Sequence, residues 1–139
     1  MQAKLIIPGR FPGMNEYTAA KNRHWAVGNR MKQENQQIAV FCILQQMHNV
    51  QFEKPVSVWF AFYEPNRRRD EDNVTAFGKK VIFDALKECG VIKDDRKKCV
   101  KKQYSDVLYD KANPRIEVII SDEDDGRFGL EEGGRAGVK

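Results

Sequence analysis

Ala3-Lys4-Leu5-Ile6-Ile7 is a short apolar run that ends at Pro8-Gly9 and passes into Phe11-Pro12-Gly13-Met14-Asn15. This predicts a first strand followed by an irregular loop. From about Gly28 to His48, Met31, Ile38, Val40, Phe41, Ile43, Leu44 and Met47 recur at approximately helical spacing among Gln, Asn and Lys, which predicts a first helix. Pro55 then opens Val56-Ser57-Val58-Trp59-Phe60-Ala61-Phe62-Tyr63, a β-branched and aromatic stretch that reads as a strand buried on at least one face and ended by Glu64-Pro65-Asn66. Val74, Phe77, Val81, Ala85 and Cys89 recur at three- and four-residue steps, Ile82 and Leu86 widen the stripe, and Gly90 stops it. That is a second helix with a glycine C-cap. Val100 to Leu108 and Arg115 to Ile120 read as two more strands joined by the turn-forming 109–114 stretch.

The order β-α-β-α-β-β implies an α+β fold, a single two-layer domain with a mixed sheet packed against two main helices. It spans residues 1–121. Beyond Ser121 the chain turns acidic and glycine-rich with little apolar material, so 122–139 is expected to be a disordered tail. At 139 residues and 41% hydrophobic content, the chain can bury one core without disulfide staples. Cys42, Cys89 and Cys99 are odd in number and lack ligand spacing, which favours neither a disulfide framework nor a zinc site. No apolar run approaches the length of a membrane span and no secretory leader is visible, so a cytoplasmic protein with no membrane partner is expected.

Charge changes the picture. Residues 122–139 hold six acidic and three basic side chains, so of the net +4 the folded body, 1–121, carries +7. A basic body suits a polyanionic partner, although a solvated basic surface is the common alternative. Against that background, Arg67-Arg68-Arg69-Asp70-Glu71-Asp72-Asn73 is followed by Lys80 and Asp84 on the second helix and by Asp94-Asp95 after it. Asp70 and Asp72 alternate, so in extended chain they face one side and can share a cation. Asp94 and Asp95 are the obvious suppliers of further oxygens if the chain after Gly90 returns beside Asp70. Asn73 either caps the second helix or orients a ligand. Lys80 either pairs with Asp84 four residues on or faces the acids and offsets charge on a phosphate. An EF-hand fails on spacing, because Thr75 and Val81 stand where its loop needs glycine and glutamate. A solvated acidic loop balancing Arg67, Arg68 and Arg69 is the plain alternative.

Arg-Arg-Arg-Asp-Glu-Asp-Asn, then Lys80-Val-Ile-Phe-Asp-Ala-Leu, then Gly90 and Asp94-Asp95, closely resemble the RusA family of Holliday-junction resolvases. The likeness extends more loosely to the N-terminal part and covers residues 1 to about 121. It implies a metal-dependent, structure-specific endodeoxyribonuclease, a homodimer that resolves four-way junction DNA by paired symmetric nicks in recombination and repair, often phage-encoded. Carried over by motif, Asp70, Asp72 and Asp95 would bind Mg2+ or Mn2+, and Lys80 would be the catalytic lysine. The gap between Asp72-Asn73 and Lys80 is about a helical turn longer than in the best-known member, and Lys79 is adjacent. Arg67, Arg68, Arg69, Lys97, Lys98, Arg23 and Lys32 are candidate DNA contacts. His24 beside Trp25 is either a junction contact or surface packing, and Phe11 and Tyr17 are either wedges at the crossover or buried loop anchors. The alternative function is a non-catalytic recombination accessory that binds branched or single-stranded DNA.

Overall fold

The structure, a computed structural model, describes residues 1–123. Its elements are β1 (Gln2–Pro8), α1 (Met14–Arg23), α2 (Trp25–Gln46), β2 (Val56–Glu64), α3 (Glu71–Glu88), β3 (Val100–Tyr109) and β4 (Arg115–Ser121). The fold is α+β, with three helices and a mixed four-stranded sheet ordered β1-β4-β2-β3. β4 runs antiparallel to both β1 and β2, whereas β2 and β3 are parallel and joined through α3. The 109–114 segment therefore does not fold β3 and β4 into a hairpin, because β2 lies between them. The expected tail falls, apart from Asp122 and Glu123, outside the described residues.

Alternation places the core. Leu5 and Ile7 of β1, Val58, Phe60 and Phe62 of β2, and Ile116, Val118 and Ile120 of β4 join the apolar stripe of α3 (Val74, Phe77, Val81, Ile82, Ala85, Leu86) in one cluster between sheet and helices. A smaller cluster of Trp59, Ala61, Leu108 and Ile119 lies on the opposite face of the sheet. β2 is thus buried on both faces, as suits a central strand made of β-branched and aromatic residues.

α3 ends as its sequence predicts. Gly90 adopts φ +75°, its N–H reaches the Lys87 carbonyl (3.0 Å), and the Val91 N–H reaches that of Leu86 (2.9 Å). These two bonds form the Schellman pattern that a left-handed glycine permits. α1 was not anticipated. It replaces part of the loop expected after Pro8, and only Tyr17 and Ala20 of its ten residues are buried, too few to create a visible stripe.

Candidate active site

α3 begins at the acidic cluster. Asp70 is its N-cap, with Oδ1 accepting the Asn73 N–H at 2.9 Å, and Glu71 and Asp72 occupy the first turn. Acids belong there, because the unpaired N–H groups and the helix dipole make this end positive. Capping thus falls to Asp70 and not to Asn73. The Asn73 Oδ1 instead accepts the Asn15 N–H (2.7 Å), which ties the first turn of α1 to that of α3. Gly13 allows this junction: a Cβ there would lie 2.6 Å from the Asn73 Oδ1. Glu16 completes the start of α1 by accepting the Gly13 N–H at 2.9 Å.

The two helix starts frame an open groove of about 560 Å³ lined by Met14, Asn15, Asp70, Glu71, Asp72, Asn73 and Ala76. Asp70 and Asp72 are both exposed and both line it. Their hard carboxylate oxygens suit Mg2+ or Mn2+, and Mg2+ commonly takes only one or two protein carboxylates, keeping waters and substrate phosphate for its other positions. The donor set therefore fits an open cation site. Among the described residues, no three His, Cys, Asp or Glu side chains gather into a set able to hold a metal ion.

Asp95 does not join Asp70 and Asp72 within the chain. Its carboxylate lies 3.6 Å from the Lys87 Nζ, in the last turn of α3, whereas the pair sits at the first. About 24 Å of helix axis separates Glu71 from Lys87 at 1.5 Å per residue. The return of the 94–95 segment to Asp70 is therefore corrected: Val91 and Ile92 are buried and hold that loop at the C-terminal end of α3. Asp94 is occupied there as well. It accepts from the Arg96 Nε at 2.6 Å and from the backbone N–H groups of Asp95 and Arg96. The Arg96 bond is the main reason its carboxyl is held at about 2.

The Lys80–Asp84 pair, one of the two readings of Lys80, is not formed. Asp84 bonds Lys32 of α2 (2.5 Å) and Lys87 (3.2 Å), so Lys32-Asp84-Lys87-Asp95 is a chain of ion pairs joining α2, α3 and the loop beyond. Burial raises the Asp84 pKa, but the hydrogen bonds from the two lysines outweigh it and leave the carboxyl below its ordinary value. At about 100° per residue, Lys79 lies within about 20° of Asp72 around the helix and Lys80 about 80° away. Lys79 therefore shares the stripe of Asp72 and Ala76, while Lys80 flanks it.

The candidate DNA contacts divide. Arg69 is half-buried, with its Nε and Nη2 on the Glu64 carboxylate (3.1 and 3.0 Å) and its Nη1 donating to the Phe11 carbonyl. Arg10 reaches the same Glu64 at 2.8 Å. Burial raises the Glu64 pKa, yet hydrogen bonds from Arg69 and Arg10 leave it below its ordinary value. Arg69 and Lys32 are thus internal braces, a correction to their expected place on a DNA surface. Arg67 lies over the Tyr109 ring, 4.2 Å from its centroid. Arg68, Arg23, Lys97 and Lys98 are exposed. Phe11 and Tyr17 are buried and anchor the loop and α1, which corrects the wedge reading. Trp25, by contrast, is 72% exposed.

Among the described residues no helix is long and apolar enough to cross a membrane. No protein-family model matches the chain, and no curated protein matches it at a significant level.

Proposed function

We propose that the protein is a metal-dependent endonuclease acting on four-way junction DNA, with Asp70 and Asp72 as the cation ligands. The observation that carries this reading is the groove at the start of α3, which two exposed carboxylates line at the positive end of a helix. Such an end favours bound phosphate. A divalent cation held there supplies Lewis-acid polarisation of a scissile phosphate. Asp70 and Asp72 present the oxygens that grip it, and Asn73 keeps the α1 wall in register with them. Lys79, on the Asp72 stripe, offers an ammonium group to the charge that develops on the phosphate oxygens. Exposed Arg68, Lys97, Lys98 and Arg23 supply sequence-independent backbone contacts.

Asp95 enters this reading through a second copy. A two-fold axis perpendicular to α3 reverses its direction, so a homodimer built on such an axis, with its two α3 helices antiparallel, sets the C-terminal end of one beside the N-terminal end of the other. Asp95 of one copy then approaches Asp70 and Asp72 of its mate, and each dimer carries two such sites for opposed strands. Within one chain the separation of Asp95 from the acid pair favours the second reading, a non-catalytic protein that binds branched or single-stranded DNA.

Incubation with a synthetic four-way junction and a linear duplex of equal length, with and without Mg2+, separates the two. The nuclease reading predicts Mg2+-dependent paired nicks in the junction. Loss of a mere outer-shell partner commonly costs 10- to 100-fold, so Asp72→Asn is expected to lose more than about 100-fold in cutting while still binding the junction. Lys79→Ala is expected to lose more activity than Lys80→Ala. Junction binding without cutting would establish the accessory reading, and undiminished cutting by Asp72→Asn would remove the proposed site.

A further inference from the structure

We infer that His24 and Trp25 form a stacking platform for unpaired bases, an inference that rests on the DNA-binding reading above. Trp25 is the most exposed large apolar side chain among the described residues. An indole left in water keeps its apolar face open to a ligand and forgoes its burial energy until one covers it. Its ring stacks on that of His24, with centroids 5.6 Å apart and planes inclined by 30°.

The platform is held in place. His24 is the single extended residue (φ −169°, ψ 137°) between α1 and α2, and it turns the chain so that Trp25 opens α2 at the apex. Its Nδ1 accepts the Ala26 N–H at 3.0 Å, which fixes the imidazole as the α2 N-cap. The corner itself is tight, since a Cβ on Gly28 would fall 2.4 Å from the Lys21 Cγ and 3.0 Å from its Cα. The backbone and the imidazole on which the indole rests are therefore already ordered before a base lands.

Charge selects the ligand. Residues 17–33 contain Lys21, Arg23, Arg30 and Lys32 and no Asp or Glu. Lys32 is committed to Asp84, and Lys21 lies 4.6 Å over the Tyr17 ring, while Arg23 and Arg30, before and after the aromatic pair in sequence, are exposed. An exposed aromatic pair on a segment that carries exposed arginines and no acid matches the recognition of single-stranded nucleic acid, in which bases stack and phosphates meet Arg or Lys. Paired bases inside a duplex offer no free face, so the preferred substrate exposes unpaired or frayed bases.

Tryptophan fluorescence tests this on the full chain, because the only other tryptophan, Trp59, is buried and donates to the Asp106 Oδ2 at 2.6 Å. Titration with a 16-nucleotide oligo-dT or a four-way junction is expected to quench emission to saturation, and a blunt duplex to leave it nearly unchanged. Trp25→Ala is expected to weaken oligo-dT binding about five- to 150-fold. Trp25→Phe, which retains an aromatic face, should stay within several-fold of the parent and lose the quench. Binding of oligo-dT with no quench, or equal affinity of parent and Trp25→Ala, overturns the platform and leaves the nuclease reading standing. A change of sedimentation mass in Trp25→Ala with unaltered DNA affinity also overturns it, in favour of a protein contact. Absence of any DNA binding overturns both readings.

Discussion

Glu64 shows how a single residue's surroundings decide its role. It is 4% exposed at the end of β2, and its two oxygens hold Arg10 and Arg69, which clamp the Phe11 loop to the strand that leads into the acidic cluster. Because its folded pKa lies below the ordinary 4.5, the stabilisation is fully present above that value and is lost as pH falls through the lower folded value. Glu64→Gln is expected to cost up to about 3 kcal/mol at neutral pH, since two guanidinium groups lose their charge partner. It should also show a shallower loss of Tm than the parent between pH 5 and 3. Thermal unfolding monitored by circular dichroism across that range checks both; equal acid limbs would mean that the clamp carries little of the pH dependence. The Arg67-Arg68-Arg69 run looked uniform as sequence, yet the structure makes one arginine a stacking group, leaves one exposed and commits one to a buried carboxylate. Nothing in a linear string of like charges marks which of them folds back onto the buried Glu64, five residues before Arg69.

At the scale of elements, periodicity was legible wherever burial was one-sided and dense. The apolar stripe of α3 and its Gly90 stop could be read directly, as could β2, because Val74, Phe77, Val81 and Ala85 all meet the same core. α1 was hidden because its stability comes from the Glu16 cap, the Asn73 link and the close approach to α2 rather than from an apolar face. Strand order was hidden as well, since short β strands announce their presence and not their neighbours. Gly78 shows how closely the layers approach. A Cβ there would stand 2.7 Å from the Phe62 Cε2 on the buried face of β2. Helix preference favours alanine by about 1 kcal/mol, but overpacking a core costs roughly 1–3 kcal/mol. Gly78→Ala is therefore expected to lower stability by about 1 kcal/mol in denaturant unfolding. A gain in stability would show that Phe62 gives way freely.

For the whole molecule, the acids were legible as residues but not as a constellation. Asp70 and Asp72 line one groove, but not by the extended alternation expected of them, since Asp70 is the N-cap and Asp72 lies in the first turn of α3, whereas Asp95 lies with Lys87 at the far end of α3. Sequence proximity to Gly90 could not reveal that the following loop packs against the C-terminal end of the helix it leaves. A site of three acids therefore requires two copies of the chain, and mixing inactive variants tests this most directly. Asp72→Asn and Asp95→Asn are assayed alone and as an equimolar mixture, refolded together, for Mg2+-dependent nicking of a four-way junction. Each alone is expected to be inactive. In the mixture half of the dimers are heterodimers with one intact site of two, so about a quarter of the parental activity returns. No recovery in the mixture, or full activity of Asp95→Asn alone, would contradict a site shared between two copies.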